Sequence, residues 1–153
     1  MNSIFGFIEE AKKAKYPWRY KFKIFIKGFK LRIQSHVFGF LKSWNGSEMK
    51  NRIYRLFGVK IGKEVFIASG VHIGGLFPEL ITIEDGSIIG HGATILAHGF
   101  TIKHAKIGRV HIGKQVVIGA KAVIECGVTI GDGAVVAINS VVNKDVLFLF
   151  WHV

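Results

Sequence analysis

Residues 112–142 read IGKQVVIGAKAVIECGVTIGDGAVVAINSVV, and this stretch repeats in sixes. An aliphatic residue opens each six, and a small or branched residue stands four places later, as Val116, Ala122 and Val128 do. A period of six fits neither the 3.6 residues of an α-helix nor the 2.0 of a flat strand. It is the period of hexapeptide repeats, which predicts a parallel β-helix.

The same period extends upstream and organises most of the chain. Twelve residues open a repeat: Ile61, Ile67, Ile73, Ile83, Ile89, Ile95, Ile112, Ile118, Ile124, Ile130, Val136 and Val142. Four extra residues separate Ile73 from Ile83, and eleven separate Ile95 from Ile112. Three sixes form one triangular coil, and coils stack at the strand spacing of about 4.8 Å. The sequence therefore predicts about four coils in a prism roughly 19 Å tall, with the opening residues inside.

The corners of such a prism need residues that tolerate a tight turn. The predicted corner positions are Gly70, Gly86, Gly92, Gly127, Gly133 and Asn139.

The excess of positive charge is confined to the first sixty residues of the chain. Residues 1–60 hold 14 Lys and Arg against 3 Asp and Glu, whereas residues 61–153 hold 7 of each kind. We therefore divide the chain into a basic amphipathic helical segment (1–58), a hexapeptide-repeat β-helix (59–147) and an apolar tail (148–153). Apolar runs in the first sixty residues are too short for a spanning helix, which needs about 18 residues. The single cysteine, Cys126, rules out an internal disulfide and fits a reducing, cytoplasmic location.

Two helices are predicted before the repeats. Apolar residues recur at threes and fours from Trp18 to Ile33, with lysines on the opposite side. Residues 12–42 could contact an anionic inner membrane surface, or the aromatic stripe could pack on the β-helix or a neighbouring subunit. Nucleic-acid binding is not expected, because no base-reading motif is present. The second helix should run from Glu48 to Phe57 and stop at Gly58.

Residues 116–145 read VVIGAKAVIECGVTIGDGAVVAINSVVNKD, and this segment resembles the closing coil of hexapeptide-repeat acyltransferases. The group includes galactoside, maltose, serine and polysaccharide O-acetyltransferases. The resemblance implies an all-β fold, a left-handed parallel β-helix, with the helical segment outside it. It also implies a homotrimer that transfers an acetyl group from acetyl-coenzyme A to a hydroxyl or amine of a sugar or similar acceptor.

His98 is the predicted catalytic residue. It stands where other repeats place a corner Gly or Asn, and the larger insertion follows at once. Histidine can accept a proton from an acceptor hydroxyl near neutral pH, as a general base must. Residues 99–110 should form one wall of the site, and the coils of a neighbouring subunit should form the other. His104 is the second candidate for the base, and His91, at a tight corner without an insertion, is the third.

The residues predicted to contact acetyl-coenzyme A follow from the resemblance alone. Register with the family's closing motif implies Ala120, Ile138, Asn143 and Lys144, with Lys144 paired to a phosphate of the coenzyme. Asn143 replaces the threonine usual in the family, and the tail after Asp145 departs from the usual pattern.

Two other functions use the same fold. One is a metal enzyme like the γ-class carbonic anhydrases, which needs three histidines meeting across a subunit interface. The chain has seven histidines, but no set falls cleanly in the repeat frame, so no metal ligands are assigned. The other is a non-catalytic scaffold, which the altered tail favours.

Overall fold

A computed structural model describes residues 32–34, 36–45, 48–100 and 105–147 as helices followed by a three-sided prism. Face A contains β1 (Lys60–Ile61), β4 (Ile81–Ile83), β9 (Val110–Ile112) and β12 (Thr129–Ile130). Face B contains β2 (Phe66–Ile67), β5 (Ile88–Ile89), β10 (Val117–Ile118) and β13 (Val135–Val136). Face C contains β3 (His72–Ile73), β6 (Thr94–Ile95), β11 (Val123–Ile124) and β14 (Val141–Val142).

Each coil contributes one strand to each face, and all pairings within the faces are parallel. The predicted four-coil β-helix is confirmed. Val146 bridges Ile130 and begins a further rung on face A.

The interior of the prism is built from the twelve residues that open the repeats. All twelve are buried, and equivalent residues of successive coils are paired, as Ile61 with Ile83 and Ile112 with Ile130. Each such side chain removed from water contributes on the order of 1.5–3 kcal/mol to folding. The six-residue period is therefore a packing period, because one aliphatic side chain fills each side of each coil.

The corners turn through left-handed backbone conformations. All six predicted corner residues have positive φ. Glu64, Gln115 and Lys121 also have φ between 54° and 58°, which the composition of the turns did not reveal. This conformation costs a side-chain-bearing residue roughly 1–2 kcal/mol. Bonds between coils offset the cost: the Gln115 N–H donates to Asp85 O (2.9 Å) and the Lys121 N–H to His91 O (2.8 Å).

A capping helix, Glu48–Leu56, closes the N-terminal end of the prism together with the helical residues 36–42. It ends one residue before the predicted Phe57, and Gly58 follows with φ +106°. Strands of the first coil are edge strands, and their free carbonyl groups need donors. Lys50 Nζ donates to Ile67 O (3.2 Å) and Ala68 O (2.9 Å).

Two further side chains of the capping helix serve the same edge. Asn51 Nδ2 donates to Val65 O (2.7 Å), Arg55 Nε to Ile61 O (2.8 Å) and Arg55 Nη2 to Gly62 O (2.5 Å). Lys50, Asn51 and Arg55 thus supply hydrogen bonds that a fifth coil would otherwise provide.

The predicted helix from Trp18 to Ile33 lies almost entirely outside the described residues, as does the tail 148–153; residues 32 and 33 are helical. Among the residues that are described, no helix is long and apolar enough to cross a membrane.

Candidate functional site

Both breaks in the repeat period fall at the corner between faces C and A. In the first coil, residues 74–80 fill this corner and end in the 3-10 helix Pro78–Leu80. In the second coil, a hairpin of β7 (His98–Phe100) and β8 (Ala105–Ile107) projects from it. The two insertions leave the prism from adjacent coils, one directly above the other, because Gly74 N–H donates a hydrogen bond to Ile95 O at 2.9 Å.

His98 is the first residue of the hairpin, and its side chain is half-buried. Ala97 beneath it is fully buried, and Ala97 O accepts a hydrogen bond from Gly108 N–H (3.0 Å), which closes the base of the hairpin. Cys126, one coil above, is buried against this base, with its Sγ 3.7 Å from Lys106 O. His98 therefore stands on a packed support, as an oriented base requires.

Two side chains of the first coil lie near His98. The ring of Phe77 meets the imidazole edge to face, with ring centroids 6.0 Å apart and an interplanar angle of 70°. His72 points outward from face C one coil below, in register with Thr94. Burial, and then the charges of Lys42 and His98, lower the pKa of His72. His72 therefore favours the neutral form near pH 7.

The other candidate histidines lie elsewhere or outside the described residues. His104 belongs to residues 101–104, which the structure does not describe. His91 is exposed at the corner between faces B and C, with Nδ1 3.0 Å from Ser69 Oγ. His111 points outward from face A, 3.5 Å from Glu84 Oε1. Among the described histidines, His98 is the one placed on an insertion.

The four residues predicted to bind the coenzyme occupy two corners. Ala120 and Ile138 stack at the corner between faces B and C, where Asn139 N–H donates to Ala120 O (2.9 Å). Asn143 and Lys144 are exposed at the corner between faces C and A, two coils above His98. The five residue steps from Ile138 to Asn143 span at most about 17 Å. The set fits an extended ligand lying across the upper part of face C.

The surface between these corners suits an extended coenzyme that is partly apolar and carries phosphate at one end. Ile138 and Val141 are exposed apolar side chains, and Lys144, at the corner between faces C and A, offers a cation. The corner that carries Lys144 is fixed to the coil below, because Thr129 N–H donates to the Asp145 carboxylate at 2.8 Å.

Within residues 32–34, 36–45, 48–100 and 105–147, no group of three or more His, Cys, Asp or Glu side chains could hold a metal ion.

Sequence reasoning missed Phe77 and His72 as neighbours of His98. A signal was present for Phe77, because the four extra residues between Ile73 and Ile83 break the period at the same corner as the larger insertion. Nothing in the local sequence marks His72, which looks like any outward strand residue.

The sequence matches the family described as "hexapeptide repeat of succinyl-transferase" over residues 109–144. A candidate acetyltransferase of Bacillus subtilis is 48% identical over 99 residues, which cover 64% of this chain but only 58% of that protein. A candidate acetyltransferase of Staphylococcus aureus is 40% identical over 131 residues, covering 84% of this chain and 80% of its own length.

The solved structures contain a similar fold. A hexapeptide-repeat acetyltransferase of Vibrio cholerae, crystallised with acetyl-coenzyme A, superimposes with a TM-score of 0.59 and 24% identity over 76% of this chain and 78% of that one. This likeness confirms the expectation that the β-helix is left-handed. Because the Staphylococcus aureus relative is similar along most of both chains, the present chain belongs to the hexapeptide-repeat acetyltransferase family.

Proposed function

We propose that this protein transfers the acetyl group of acetyl-coenzyme A to a hydroxyl group of a sugar or similar acceptor, with His98 as general base. The observation that supports this proposal is that His98 lies on the hairpin, at the corner where both insertions leave the prism. At the described tight corners, by contrast, the chain turns directly into the next strand.

The chemistry proposed for His98 is a direct transfer. An imidazole nitrogen accepts the hydroxyl proton while the acceptor oxygen attacks the thioester carbonyl carbon. The tetrahedral intermediate then expels the coenzyme as a thiolate, and the C–S bond breaks as the new ester is complete. The proton held by His98 passes to the thiolate, which returns the imidazole to its neutral form.

The acetyl-coenzyme A that complexes the Vibrio cholerae protein supports the same cosubstrate here. We assign its pantetheine arm to the surface of Ala120 and Ile138, and its phosphate end to Asn143 and Lys144. Ala120 and Ile138 lie across face C from the hairpin of their own chain. The thioester end is therefore proposed to meet the hairpin of a neighbouring subunit, in the groove between two prisms of the trimer.

Acetyl-coenzyme A is expected to raise the melting temperature. At a concentration of 100 times Kd, binding to the native state adds about 2.7 kcal/mol of stability. For a chain of this size that corresponds to about 5–10 °C in a thermal-shift experiment. Lys144→Ala should need a higher concentration for the same shift. Lys114→Ala, which removes an exposed lysine at the corner between faces A and B, is the matched control. An unchanged melting temperature at millimolar acetyl-coenzyme A would contradict the cosubstrate assignment.

We further propose a homotrimer, with face B buried between subunits. The outward residues of face B are all apolar and exposed, and they align in one stripe: Phe66, Ile88, Val117 and Val135. Their counterparts on face A are Lys60, Thr82, His111 and Thr129, which are polar. A continuous apolar stripe on a solvent-exposed surface marks a contact site. Copies of one chain that associate through such a site usually form a closed, symmetric oligomer.

A charge in the stripe should weaken this assembly. Val135→Lys places an ammonium group among the apolar side chains, and the dissociation constant should rise at least about 10-fold. Thr129→Lys, in the same coil but on polar face A, should leave the dissociation constant unchanged. Analytical ultracentrifugation over a range of concentrations measures both. A monomeric wild-type protein at micromolar concentration, or equal behaviour of the two variants, would contradict the proposed interface.

Two further features remain proposals from the sequence: a cytoplasmic location, and contact of residues 12–42 with an inner membrane surface. In the described part of that segment, Ile33 and Phe40 are exposed apolar side chains, and Arg32 and Lys42 are exposed cations. This combination supports a weak surface contact.

A further inference from the structure

We propose that Phe77 is a positioning residue for His98, held by the smaller insertion so that its ring fixes the imidazole from the side of the first coil. The smaller insertion would then belong to the site as much as the hairpin does. This inference rests on the proposed function of His98 as the base.

The contact between the two rings has a favourable geometry. The centroid separation of 6.0 Å and the interplanar angle of 70° describe an edge-to-face pair, the arrangement that aromatic rings prefer. His98 is anchored through its backbone in the hairpin, where it pairs with Ile107. The ring of Phe77 adds a contact to the imidazole itself and restricts its rotation.

Phe77 is a suitable support because its own backbone is constrained. Phe77 O accepts a hydrogen bond from Leu80 N–H (3.1 Å), which closes the turn of the 3-10 helix. Pro78 follows directly, is buried, and limits the backbone conformations open to the residue before it. The Phe77 side chain is half-buried and packs against the prism core, so its ring cannot swing freely.

The placement of the two insertions brings Phe77 next to His98. Residues 74–80 leave the first coil directly beneath the point where the second coil enters the hairpin, because Gly74 N–H is bonded to Ile95 O. The four extra residues bring Phe77 there.

Phe77→Leu is expected to lower kcat by about 3- to 10-fold, the loss typical of one aromatic pair, with little change in acetyl-coenzyme A binding. Phe77→Tyr keeps the ring and should retain the wild-type rate. Glu79→Ala, an exposed change in the same insertion, is the matched control. The His98 Hε1 resonance in NMR spectra of the free protein should shift in Phe77→Leu and stay in place in Glu79→Ala.

A double-mutant cycle separates a role through His98 from a general structural role. If Phe77 acts by positioning the imidazole, Phe77→Leu should cost nothing further in a His98→Ala background. A further 3- to 10-fold loss in that background would overturn the proposal, as would full activity of Phe77→Leu. If His98→Ala itself were fully active, the proposed base would be wrong. The NMR shift would still show whether Phe77 orients the ring.

Discussion

Replacing His98 with alanine is expected to lower kcat by about 10²–10⁴-fold, because general base catalysis typically contributes that much to a proton-transfer step. The affinity for acetyl-coenzyme A should change little, since the imidazole acts on the acceptor hydroxyl and the coenzyme contacts are assigned to other residues. Steady-state kinetics with a saccharide acceptor give kcat, and a thermal-shift titration gives coenzyme binding separately.

Two other histidines serve as controls for this result. His91→Ala, which removes an exposed imidazole at the corner between faces B and C, should keep nearly the wild-type rate. His104→Ala tests the second candidate. If the rate is lost in His104→Ala and kept in His98→Ala, the base has been assigned to the wrong histidine.

Lys50→Met is expected to destabilise the fold by about 3–5 kcal/mol, or roughly 10–15 °C in melting temperature. The Lys50 side chain is fully buried, and its Nζ donates to Trp44 O (2.8 Å), Ile67 O and Ala68 O. Methionine keeps the unbranched apolar stem but leaves three carbonyl groups without this donor. The loss of a buried donor costs more than the hydrogen bonds alone contribute, because the carbonyls stay out of water.

The matched control is Lys63→Met, which removes an exposed lysine from the first coil and should change the melting temperature by less than about 2 °C. Denaturant titrations at several pH values give a second readout. Burial lowers the pKa of Lys50 to about 8, below its ordinary value of 10.5. Between these values the unfolded chain binds more protons, so the stability contributed by Lys50 rises with pH through this window. Equal melting temperatures for Lys50→Met and Lys63→Met would show that the cap does not depend on the ammonium group.

The coil architecture was predictable because its cause is local and repeated. An aliphatic side chain every six residues fills the same interior position in each coil, and all twelve such residues are buried as expected. Glycine and asparagine marked six of the corners, since they adopt positive φ at low cost. Glu64, Gln115 and Lys121 adopt the same conformation under the constraint of the neighbouring coils, which composition cannot show.

The location of the candidate site was also partly predictable. The sequence singles out His98 because this residue begins the larger break in the period, and the structure places it on a hairpin at that break. The sequence-based assignment of the coenzyme contacts stays a prediction, and the structure spreads those residues over two corners.

By itself, the sequence determined the number of coils, the inward residues and the corner that carries the insertions, because each follows from the period of a single repeated turn. Only the tertiary structure decided which residues meet across that period. Lys50 looks like one more cation in a basic segment, yet it is buried, because in the described part of the chain the first coil is an edge whose carbonyl groups take this ammonium group as their donor. Phe77 and His98 lie 21 positions apart in the chain and meet because stacking brings the same corner of adjacent coils within about 5 Å.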